Sequence, residues 1–156
     1  MEGVLKISEA ANLGLHAMVY LANVQEGRTV SVSQIAESLG VSRDHLGKVL
    51  QRLNKLGLVT SHKGPGGGFA LERRKGDITL LQIFEAIDGP LVSCDCLLQT
   101  PACRKGSCIL GDLLRSMFQQ VRQHLASRRL SSLTSVYPAV DAARLEVAGL
   151  VRPSNS

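Results

Sequence analysis

A mostly α-helical fold with one small β-hairpin is the class this sequence predicts, and three observations predict it. Two short helical patterns meet at Gly40. Two β-prone pieces flank a glycine-rich run at 64–68. Further on, Leu110, Leu113, Leu114, Met117, Val121 and Leu125 form one apolar stripe. Tandem helices followed by a hairpin are the order of a winged helix-turn-helix, here with a long C-terminal dimerisation helix appended. The chain then divides into a winged helix-turn-helix over 1–90, a cysteine-containing loop over 91–109, a dimerisation helix over 110–130 and a tail over 131–156.

Each element has a local cause. Ser8 is placed to cap a first helix, in which Leu13, Ala17, Tyr20 and Leu21 recur at helical spacing through about Val24. Gly27 ends it. Thr29 to Val32 reads as a brief strand or as extended chain. Ser31 and Gln34 then form a capping box for a second helix through Ile35, Ala36 and Leu39, stopped by Gly40. Ser42 caps a third helix from Arg43 to about Leu56, with Leu46, Val49, Leu50 and Leu53 turned inward and Gly57 as terminator. Leu58 to His62 and Phe69 to Glu72 read as strands of a hairpin with a permissive glycine tip. Thr79 to Ile87 is a fourth helix broken by Asp88-Gly89-Pro90, and Leu110 to Ala126 is the last. A single long stripe at the end of a small domain calls for a partner helix, so a homodimer is expected. Residues 152–156 read as disordered.

Composition narrows the function class. The 156 residues, 44% of them hydrophobic, suit one core with a modest appendage. A net charge of +5 favours a polyanionic partner, of which nucleic acid is the commonest. No apolar run approaches the roughly 18 residues of a membrane span, and no signal segment opens the chain, so a cytoplasmic protein is expected. There thiols stay reduced, and four cysteines read as metal ligands or redox sensors before they read as disulfides. The absence of Trp argues against a stacking platform for single strands. No Ser/His/Asp arrangement, carboxylate pair or phosphate-loop lysine supports catalysis, so no enzyme is expected.

The second helix of a helix-turn-helix enters the major groove by its N-terminal end. Here that end carries Ser42, Arg43, Asp44, His45, Gly47 and Lys48. Lys48, Arg52 and Lys55 suit phosphate contacts, which position a protein without specifying sequence. The planar fork of Arg43 is the natural reader of a guanine edge. On the wing, Lys63 sits on a tip where Gly64, Gly66 and Gly67 allow close approach to DNA. His45 and His62 flank this surface as phosphate contacts or solvent-exposed groups. His124, on the last helix, has no evident role.

Cys94, Cys96, Cys103 and Cys108 fall within 15 residues, with Pro101 and Gly106 bending the chain between them. Thiolates are soft ligands, so the cluster suits an iron–sulfur centre or zinc. The spacing is neither a ferredoxin run nor a pair of zinc-ribbon knuckles. A redox disulfide pair and unligated thiols stay open beside the metal reading.

The wing motif Gly64-Pro65-Gly66-Gly67-Gly68-Phe69, preceded by Leu56-Gly57-Leu58-Val59, resembles the Rrf2 family of bacterial regulators. The likeness extends to Ile35-Ala36-Glu37, Val41-Ser42, Leu46, Ile78-Thr79-Leu80 and Ala86-Ile87-Asp88-Gly89-Pro90, and covers roughly residues 5 to 126. It implies a winged-helix dimer on a palindromic operator, with the C-terminal helices crossing between subunits. It also implies an iron–sulfur cluster, 2Fe-2S or 4Fe-4S, on three cysteines of the loop. Cys103 and Cys108 match the second and third ligands; the first is Cys96 or, alternatively, Cys94. A fourth ligand in such regulators comes from a His three residues after the last cysteine, where this chain has Gly111, or from the partner's first helix. On that helix Asn12 and His16 match, and His16 is the better iron ligand. Some relatives carry a glutamate where this chain has Gly47, so their base-reading scheme does not transfer. The expected function is a repressor or dual regulator switched by its cluster. The rivals are a cluster-free regulator using Cys103 and Cys108 as an oxidisable pair, and an electron-transfer or protein-interaction module on the same scaffold.

Overall fold

Side-chain caps decide where the first four helices start. In the computed structural model, which describes residues 6–72, 77–93, 96–98, 102–104 and 108–137, Ser8 accepts a hydrogen bond from the Ala11 N–H at 3.0 Å and opens α1 (Glu9–Ala22). Ser31 accepts from the Gln34 N–H at 3.2 Å while the Gln34 side chain accepts from the Ser31 N–H at 2.9 Å, the reciprocal box that opens α2 (Val32–Leu39). Ser42 accepts from the His45 N–H at 3.4 Å and opens α3 (Arg43–Lys55). Thr79 and Gln82 repeat the reciprocal box ahead of α4 (Leu80–Asp88), a cap not anticipated from the sequence. The last α-helix among the described residues, α5 (Leu113–Ser127), follows Asp112 without a side-chain cap.

Gly40 takes a left-handed conformation, φ 66°, which turns the chain between α2 and α3 and brings the Val41 N–H to the Ala36 carbonyl at 3.0 Å. Strands β1 (Val59–His62) and β2 (Gly68–Leu71) pair antiparallel, Val59 opposite Leu71 and His62 opposite Gly68. The 29–32 stretch resolves as extended chain bridging this hairpin. Val30 and Phe69 exchange two backbone hydrogen bonds of 2.9 and 2.8 Å, and Val32 already belongs to α2.

The core lies between α1, α2, α3, α4 and the hairpin, where Met18, Ile35, Leu46, Leu50, Leu53, Ile78, Ile83 and Val59 are fully buried. Burying a side chain of this size stabilises the fold by about 1.5–3 kcal/mol. All four inward positions expected on α3 are buried.

The C-terminal part differs from the sequence reading in two ways. α5 starts at Leu113 instead of Leu110, because Gly111 turns left-handed at φ 56° and residues 109–112 form turns. Past α5 the chain folds back on the domain. Leu80 N–H donates to the Arg128 carbonyl and Leu130 N–H to the Ile78 carbonyl, each at 3.0 Å, and Leu130, at the start of a short 3-10 turn over Leu130–Leu133, is fully buried. Residues 152–156 lie outside the described residues. Among the described residues no helix is long and apolar enough to cross a membrane.

Candidate nucleic-acid interface and cysteine loop

The apolar set of α3 packs at Leu46, Val49, Leu50 and Leu53, and this fixes what the opposite face presents. Ser42, Arg43, Asp44, His45, Lys48, Gln51, Arg52 and Lys55 are all exposed. With Ser31, Val32 and Ser33 from the start of α2, these residues other than Ser42 and His45 line a shallow groove holding Arg43, Lys48, Arg52 and Lys55 against one acid, Asp44. Gly47 lies in the groove floor, where an added Cβ would rest 3.8 Å from Val32. Sequence reasoning passed over Gln51 and Ser33. The signal for Gln51 was available: it stands four residues after Gly47 and four before Lys55, one row of a helix surface.

The wing is built by glycine at positions where a side chain has no room. An added Cβ on Gly67 would fall 2.4 Å from the His62 carbonyl oxygen. The tip is also tied to the body, since Thr29 Oγ1 donates to the Gly66 carbonyl at 2.8 Å. Lys63, Gly64 and Gly66 are exposed at this tip, and Gly67 is half-buried.

The histidines separate by environment. His45 Nδ1 lies 3.5 Å from Glu9 Oε1, so the exposed ring stands beside the first turn of α1. His62 is exposed at the end of β1. His16 is exposed on α1, with Nδ1 hydrogen-bonded to the Tyr137 hydroxyl and the two rings edge-to-face at 6.1 Å. Burial raises the Tyr137 hydroxyl above its ordinary pKa. Asn12 is exposed one turn before His16.

Cys96 is half-buried and accepts from the Leu98 N–H at 3.4 Å, whereas Cys103 and Cys108 are exposed; none of the three is in a disulfide. Cys94 lies outside the described residues. Three thiols in one loop are chemically suited to iron or zinc. Among the described residues, however, no three His, Cys, Asp or Glu side chains are gathered closely enough to hold a metal ion. The loop is anchored at its start by Glu85, whose Oε1 accepts from the Leu91 N–H and from Arg122 Nη1, both at 3.3 Å.

A family model described as Rrf2, iron-dependent transcriptional regulator, matches residues 7–135. The chain belongs to the Rrf2 family. It is a transcriptional regulator and not an enzyme. Solved Rrf2 regulators share its fold. CymR of B. subtilis, titled the global cysteine regulator, superposes with a TM-score of 0.73 at 28% identity over 86% of this chain and 99% of that one. The oxidized form of Staphylococcus aureus CymR gives 0.67 at 25% identity, over 86% and 99%. IscR of T. potens gives 0.65 at 26% identity, over 88% and 93%. The Rrf2 match reaches beyond α5 to residue 135, and so includes the fold-back that buries Leu130.

Proposed function

We propose that this Rrf2 chain acts in the cytoplasm as a homodimeric repressor or dual regulator. It binds a palindromic operator, with affinity set by the chemical state of its cysteine loop. The observation that carries the DNA-binding part is the groove along α3, where four cations face one acid beside an exposed, Ser42-capped helix start. Arg43 reads a base edge; Lys48, Arg52, Lys55 and Lys63 take phosphates. The dimer reading is supported by α5, whose Leu113 and Met117 remain 52% and 43% exposed one turn apart, while Leu125 buries against the chain's own core.

Cys96, Cys103 and Cys108 are the residues that would hold an iron–sulfur cluster, with Cys94 as the alternative first ligand and His16 as the candidate fourth from the partner subunit. A bound cluster supplies a redox-sensitive cross-link between these sulfurs. Tyr137 supports the role of His16: a hydroxyl on Nδ1 orients the ring and leaves Nε2 for a metal. Two half-sites penalise any change in the spacing of the recognition helices, and about 1.4 kcal/mol already changes affinity tenfold. Anaerobic isolation with iron and sulfide assay and visible absorbance tests this reading. Iron-bearing, coloured protein that pales in Cys103→Ser and Cys108→Ser supports it; colourless, iron-free protein sinks it.

The exposure of both Cys103 and Cys108 favours one second reading, a cluster-free thiol switch. The likeness to the oxidized form of S. aureus CymR lends it weight. It is distinguished by DNA affinity that changes with peroxide and returns with a dithiol reductant in iron-free protein.

A further inference from the structure

The N-cap of α1 is held from outside its own helix. Ser8 N–H donates to Asp88 Oδ2 at 3.0 Å, and the Ser8 hydroxyl donates to Asp88 Oδ1. The same hydroxyl oxygen accepts the Ala11 N–H, so the cap is complete without Asp88. What the carboxylate adds is position: two charge-assisted hydrogen bonds tie the start of α1 to the last residue of α4. The next residue, Glu9, stands beside His45 Nδ1 in the first turn of α3. Asp88, Ser8, Glu9 and His45 thus form one continuous contact from the end of α4 to the DNA-facing end of α3. On its other side, Asp88 precedes Gly89, Pro90 and the stretch that carries the cysteines.

We propose that Asp88 is a positioning residue for base reading by His45, acting through Ser8 and Glu9. The inference rests on the DNA-binding reading of α3. A carboxylate 3.5 Å from Nδ1 favours a proton on that nitrogen and leaves Nε2 for a partner outside the protein. Where Glu9 stands depends on how the start of α1 sits against α4, and Asp88 ties the two together. The link is physical and contiguous, so a displacement at the head of the cysteine stretch reaches the reading end of α3 without passing through the core.

The test is selection of duplexes from a random-sequence pool by the full-length protein, with wild type, His45→Ala, Glu9→Gln and Asp88→Asn compared. All three variants are expected to relax preference at the same base position by about fivefold or more, the scale of one lost base contact. Affinity for unselected duplex should change by less than about twofold, because phosphate contacts set it. Glu9 is 74% exposed, so Glu9→Gln folds and carries the test even if Asp88→Asn does not. Wild-type preference retained in Glu9→Gln, or in folded Asp88→Asn, while His45→Ala relaxes it would overturn the proposal, as would a His45→Ala that changes no preference. A purely structural role would lower melting temperature and all affinities together without moving any base preference, and would also overturn it. Wild type that enriches no sequence would overturn the DNA-binding reading itself, and the proposal with it.

Discussion

A Cβ on Gly68 would lie 2.4 Å from the carbonyl oxygen of Val30. That oxygen accepts the Phe69 N–H at 2.8 Å, so the wing is hydrogen-bonded to the α1–α2 connection at the point where it can carry no side chain. Gly68→Ala must push two backbones apart, since neither belongs to a flexible side chain. The expected cost is about 1–3 kcal/mol. Faster amide exchange at Val30 and Phe69, together with a lower denaturation midpoint, would bear this out. An unchanged midpoint would show that the bridge yields freely.

The capping box of α2 sets a second expectation. Ser31→Ala removes the acceptor of the Gln34 N–H and leaves that donor to solvent. The loss is about 1 kcal/mol, typical of an N-cap serine. For a chain of this size it lowers the melting temperature by about 2–4 °C. Thermal unfolding followed by circular dichroism reads it directly, and a melting temperature equal to wild type would refute it.

Most of the fold was legible because its causes are local. Ser8, Ser31 and Ser42 stand where caps must stand, and Gly40 and Gly57 stand where helices must stop. The exposed face of α3 followed from the burial of Leu46, Val49, Leu50 and Leu53 alone. What stayed hidden depends on contacts between residues far apart in sequence. Nothing around Glu9 announces His45, nothing around Tyr137 announces His16, and Leu130 gives no local sign that it pairs with Ile78. The cysteine loop is legible as chemistry only. Spacing names soft donors, but whether three sulfurs meet depends on loop conformation, which periodicity does not encode.

Tyr137 gives the protein an alkaline signature. Burial raises its hydroxyl above the ordinary 10.0, so the folded state holds the proton longer than the unfolded chain does. The associated stability is fully present below the unfolded value and is lost as pH rises through the raised folded value. Denaturant midpoints of wild type and Tyr137→Phe, followed from neutrality to about pH 11, should differ by a gap that changes only above about pH 10. The wild type loses ground there. A gap constant over the whole range would rule out this origin.

Two residues of the groove should separate positioning from reading. Lys48 is exposed along α3 as a point charge, whereas Arg43 sits at the helix start with a planar, forked donor set. Lys48→Ala should therefore weaken binding to every duplex alike and lower the slope of log affinity against log salt by about 1, the share of one phosphate contact. Arg43→Ala should act on selected duplexes, costing about 1–3 kcal/mol at a single base position, while unselected duplex loses no more than an ionic contact. Titrations of both variants at several salt concentrations, on selected and unselected duplexes, distinguish the roles. Equal losses on all sequences for both variants would mean that Arg43 too only positions the helix, and that base reading falls to the remaining groups at the head of α3.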